Sequence, residues 1–86
     1  MARVDLVGFA TVEAAWPSVG SARASRARPQ RLAGTELVVA VPSGAHAARA
    51  KLDAAAILDE LHVALVGASG APTTLRVVVA PGADVG

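Results

Sequence analysis

The chain has 86 residues, no cysteine and a formal net charge of +1. That length holds one domain, and the missing thiols exclude disulfides, cysteine-ligated zinc and thiol nucleophiles. Hydrophobic residues reach 53%, yet Phe9 and Trp16 are the whole aromatic content. The core must therefore be aliphatic, and an aromatic platform for stacking bases is excluded.

No stretch approaches the roughly 18 consecutive apolar residues of a membrane span, and no signal-peptide core is present, since Asp5 and Glu13 interrupt the N-terminal segment. A cytoplasmic setting is the expectation. Charge is unevenly placed. Residues 21–33 hold Arg23, Arg26, Arg28 and Arg31 and no acid, whereas 1–20 sum to −1 and 34–86 to −2. The positive excess sits in one short segment.

In chain order, Phe9, Val12, Trp16 and Val19 recur at helical period and predict a helix over 5–16. Pro17 should end it or begin a new turn. Residues 18–28 read as a short helix or an ordered loop, with Pro29 as a second breaker. Residues 30–42 read as a β-hairpin: a weakly marked strand at 30–33, a turn at Gly34-Thr35, and a strong strand over Leu37–Val41. Leu37, Val39 and Val41 should share one face, and Val38 and Ala40 the other.

Ser43 is the expected N-cap of a helix over 44–66, with Ala54, Ile57, Leu58, Leu61 and Leu65 on one face. A bend near Leu52 with Asp53 capping a second segment is the alternative. Ala45, Ala47, Ala48 and Ala50 form a small-residue face suited to close packing on the sheet. Gly67 is the expected C-cap, 67–73 a loop, and Thr74–Ala80 a last strand ended by Pro81-Gly82. The expected domain is α+β, ordered helix-strand-strand-helix-strand, with a three-stranded sheet covered by helices on one face. It spans 1–86, its core about 5–80, with a frayed tail at 81–86.

No catalytic arrangement emerges. The sole lysine, Lys51, follows Ala50, so a phosphate loop ending Gly-Lys-Ser/Thr is missing. His46 and His62, if on one helix, lie roughly 160° and about 24 Å apart, too far to share a metal. Both read as surface residues, with His62 facing Asp59 one turn back. Asp59 and Glu60 point about 100° apart and read as a solvated face. Gly67-Ala68-Ser69-Gly70 fits the Gly-x-x-Gly loop of KH domains, but precedes a strand and lacks a basic residue. An ordinary helix-to-strand turn is the simpler reading. The four arginines carry the strongest functional signal, as phosphate or acidic-partner contacts, set against a solubilising face. Trp16 is a core anchor or an interface side chain.

Trp16-x-x-Val19-Gly20, then Arg28-Pro29-x-x-Leu32-x-Gly34-x-x-Leu37-x-Val39-x-Val41-x-Ser43, resembles the core of the DciA-like family. Residues 57–67 resemble its leucine-rich, glycine-capped late helix, and Leu75-Arg76-Val77 its closing strand. The resemblance covers about 10–80. It implies a KH-like domain without enzymatic activity or cofactor, which binds a DnaB-type replicative helicase and helps load it on single-stranded DNA. On this reading Arg23, Arg26, Arg28 and Arg31, singled out by their charge, would supply DNA or partner contacts, and Trp16, Gly20 and Gly34 would be structural. Two positions depart: His46 stands where family members often carry an aromatic, and His62 replaces an asparagine. Many members also carry a basic extension that helps hold DNA, and none is expected here. A structural or homodimerising module that binds no nucleic acid is the competing expectation.

Overall fold

A computed structural model describes residues 8–65 and 71–80. The elements run α1 (Phe9–Ala15), β1 (Arg28–Ala33), β2 (Glu36–Val41), α2 (Gly44–Leu52), α3 (Ala54–Ala64) and β3 (Thr74–Val79), with short 3-10 turns at Trp16–Ser18 and Gly20–Ala22. The late helical stretch is two helices that break after Leu52, the alternative the sequence offered to one continuous helix. The result is an α+β domain whose mixed sheet has the order β1-β2-β3, with β1 antiparallel and β3 parallel to β2.

The central strand explains the core. Leu37, Val39 and Val41 are fully buried and cluster with Val12, Val19, Ile57 and Leu61. Fully burying side chains of this kind stabilises by roughly 1.5–3 kcal/mol each. Leu32 of β1 and Leu75 and Val77 of β3 pack against the same cluster, as their register opposite Leu37 and Val39 requires. Helices therefore cover this face. Val38 and Ala40 lie on the other.

β1 departs from expectation. It starts at Arg28 rather than residue 30, and Pro29 lies inside it rather than breaking the chain. Proline is tolerated on edge strands and at bulges, and both apply: β1 is an edge, and its register shifts between Pro29 and Arg31. The hairpin turn uses Gly34 at φ +60, a left-handed conformation that glycine adopts without steric cost.

Ser43 caps α2 as expected, its Oγ accepting from the His46 amide at 3.3 Å. Asp53 stands at the junction of α2 and α3 but its side chain does not cap α3; the carboxylate instead accepts from Arg49 Nε at 2.8 Å. Of the alanine face on α2, Ala47 and Ala50 are buried while Ala45 and Ala48 are exposed. The expected Gly67 cap, most of the 67–73 loop, residues 5–7 of the first helix and the 81–86 tail lie outside the described residues.

Candidate functional site

The segment carrying the arginines is a series of tight turns. Pro17 lies in the first turn, Trp16–Ser18, as the second of its two expected roles has it. Backbone bonds then run from Val19 to Trp16 O at 2.9 Å, Ala22 to Val19 O at 3.2 Å, Arg23 to Gly20 O at 3.1 Å and Arg26 to Arg23 O at 3.1 Å. This pattern buries Val19, Ala22, Ser25 and Ala27 and leaves Gly20, Arg23, Ala24 and Arg26 exposed. Ser25 satisfies its buried hydroxyl by donating to Ala22 O at 3.1 Å. Arg26 holds φ +54, which a non-glycine residue adopts at a cost of roughly 1–2 kcal/mol.

Two contacts fix the segment to the body. The Trp16 indole Nε1 donates to Ala27 O at 3.0 Å, closing the loop of 16–27 while the ring packs against the core. On the opposite side, Glu60 of α3 accepts from the Ser21 amide at 2.9 Å and from the Ser21 hydroxyl. The Ser21 hydroxyl, then its amide, hold the Glu60 carboxyl below the usual glutamate range against a smaller opposing effect of burial. Glu60 is thus a latch on the turn, not part of a solvated face. Nothing local in the sequence pairs residue 60 with residue 21.

Between Trp16 and the start of β1 lies an open groove of about 730 Å³, lined by Trp16, Pro17, Arg23, Arg26, Arg28 and Gln30, with Ala40 of β2 also contributing and Glu13 the acidic member. Arg23 is held by a hydrogen bond from Nη2 to Pro17 O at 3.3 Å, leaving most of its five donors available. So the structure brings together Arg23, Arg26 and Arg28 with Trp16. Arg31 is not among them; it is exposed further along β1. Trp16 serves both readings given to it, being half-buried against the core and part of the groove wall.

Of the two glycines, Gly34 meets a conformational need, but a Cβ at Gly20 would meet Glu60 Oε1 at 3.9 Å, an ordinary contact. His62 does not pair with Asp59: its Nε2 bonds to Pro72 O, tying α3 to the approach of β3. His46 Nδ1 lies 2.7 Å from Ser43 Oγ, so the ring belongs to the cap. Among the described residues, no cluster of three or more His, Asp or Glu side chains is placed to hold a metal ion, and no helix is long and apolar enough to cross a membrane.

Turns pinned to a small sheet, displaying arginines around an open groove, define a small α+β domain with a basic groove. The family described as Dna[CI] antecedent, DciA, matches residues 6–77, and the chain belongs to that family. It is a family of helicase-loader-like binding proteins, not enzymes. No match was found among curated proteins.

Proposed function

We propose that this domain is a KH-like, DciA-type loader that engages a DnaB-type replicative helicase and holds single-stranded DNA in the Trp16 groove. The observation that carries the DNA part is the convergence of Arg23, Arg26 and Arg28 on one open groove. Guanidinium groups grip phosphate by bidentate, charge-assisted bonds. Strain at Arg26 fits a side chain retained for what it contacts, since glycine would hold that backbone more cheaply. In KH domains a Gly-x-x-Gly loop clamps the nucleic-acid backbone. Here the two helices meet at Asp53 with no glycine between them, so the basic groove takes over that task. The helicase part rests on family membership.

The test is a titration of labelled single-stranded DNA across salt concentrations. Three phosphate contacts predict a log–log slope of about −2. Arg26→Ala combined with Arg28→Ala should bring it to about −0.7. Unchanged affinity in that variant would remove the DNA reading, and failure to co-purify with the host's replicative helicase would remove the other. The competing homodimeric module draws on Leu52, Val63 and Val79, exposed at 82%, 76% and 49%. A stable dimer in sedimentation together with indifference to DNA would establish it instead.

A further inference from the structure

The face of the sheet turned away from the helices carries three exposed arginines. Pairing places its residues in rows. Arg28 lies opposite Ala40, which lies beside Val78; Arg31 lies opposite Val38, which lies beside Arg76. Arg28, Arg31 and Arg76 are all exposed, while Val38 and Ala40 between them are buried. Among the described residues, none of these three arginines makes an ion pair or side-chain hydrogen bond. Glu36, half-buried, occupies the next row with Ala33 and Thr74 and bounds the positive area.

The bulge creates this arrangement. Residues three apart in a regular strand face opposite ways, so Arg28 and Arg31 should be split between the two faces. The extra residue, Gln30, restores them to one face. Adjacent strands lie about 4.8 Å apart, so Arg31 and Arg76 flank Val38 with their backbones about 10 Å apart, and the two rows lie about 7 Å apart along the strands.

We propose that this face extends the groove into one continuous track for single-stranded nucleic acid, with Arg76 of β3 and Arg31 of β1 as its distal phosphate contacts. The proposal rests on reading the groove as a single-stranded DNA site. Continuity carries it: Arg28 and Ala40 line the groove and also form the first row of the sheet face. A strand held by Arg23, Arg26 and Arg28 that runs on past Ala40 meets Arg31 and Arg76 next. Val38 and Ala40 between them are already buried, so what this face offers a strand is the flanking guanidinium groups, which grip phosphate. An acidic protein segment needs no such continuity with the groove, which is why nucleic acid is favoured.

The experiment is fluorescence anisotropy with a labelled 20-nucleotide oligothymidylate across salt, using the whole chain. Arg31→Ala with Arg76→Ala should lower affinity about 25-fold at 0.1 M salt and reduce the slope by about 1.4, about 0.7 per lost phosphate contact. Arg31→Lys with Arg76→Lys should restore the slope, and Lys51→Ala, an exposed charge on α2, should change little. Thermal melting by circular dichroism checks folding, and the single substitution Arg76→Gln, expected to show half the loss of slope, is read alongside. If the double alanine variant binds as wild type while Arg23→Ala with Arg26→Ala weakens binding, the sheet face is refuted and the groove stands. If neither pair matters, both readings fall. If the double variant keeps DNA but loses the helicase, or if Lys51→Ala loses as much, the face is not a nucleic-acid track.

Discussion

Trp16 offers the sharpest test of how the groove is built. Two contributions can be separated there: the indole N–H bond to Ala27 O and the packing of the ring against the core. Trp16→Phe keeps most of the packing and deletes the donor. A neutral hydrogen bond contributes roughly 1 kcal/mol net, and an orphaned buried acceptor costs up to about 3. The bond is part-buried, so about 1 kcal/mol, the lower end of that range, is the appropriate value. Trp16→Ala removes the ring as well. Fully buried aromatics cost about 3–5 kcal/mol on truncation to alanine, and half-burial reduces that to about 2. A domain of this size has a stability of about 5 kcal/mol, and each kcal/mol corresponds to roughly 4–8 °C in melting temperature. The assay is urea unfolding followed by far-ultraviolet circular dichroism, because the substitution removes the chain's single tryptophan as a fluorescent reporter. Trypsin cleavage after Arg23 and Arg26 should accelerate in the order wild type, Trp16→Phe, Trp16→Ala. A phenylalanine variant as stable and as resistant as wild type would show that the Ala27 bond does not hold the arginine segment. Equal losses in both variants would show that ring packing adds nothing.

Other consequences are simpler to check. Gly34→Ala places a Cβ at φ +60 and should destabilise by about 1 kcal/mol. Gly44→Ala, in the first turn of α2 with open space around it, should be neutral or slightly stabilising, and thermal melts of the pair decide the point. The latch has a pH signature. The folded carboxyl of Glu60 titrates below its unfolded value of about 4.3, so the unfolded chain binds the extra proton in that window. The latch's contribution is therefore complete above the unfolded value and is lost as pH falls through the folded one. Melting curves from pH 6 to pH 3 should fall more steeply for wild type than for Glu60→Gln; parallel curves would discard the latch.

The sequence-level signals succeed where one element's own pattern decides the structure. The run Leu37–Val41, with its alternating faces, needed no information beyond itself, and Ser43 capped the helix that its position announced. They fail where a residue's role is set by a partner far along the chain. Glu60 looks solvated until residue 21 is brought to it, and His62 looks paired with Asp59 until Pro72 arrives. The junction at Asp53 shows the same competition on a smaller scale, because a cap was available but Arg49 one turn earlier took the carboxylate.

The arginines illustrate the limit most clearly. Their density marked the segment, but density does not say which way each side chain faces. Proline inside a strand is confined to edges and bulges, so reading Pro29 as a breaker hides the bulge beside it. That bulge alone puts Arg28 and Arg31 on one face, since a one-residue slip inverts every later side chain. Arg76 lies beyond even that inference. It reaches the same face through a parallel pairing of β3 with β2, and parallel register is set by the crossover of α2 and α3, not by any local pattern. A basic patch assembled in this way is distributed over strands far apart in sequence, so a count of charge in a window registers only the part that happens to be contiguous.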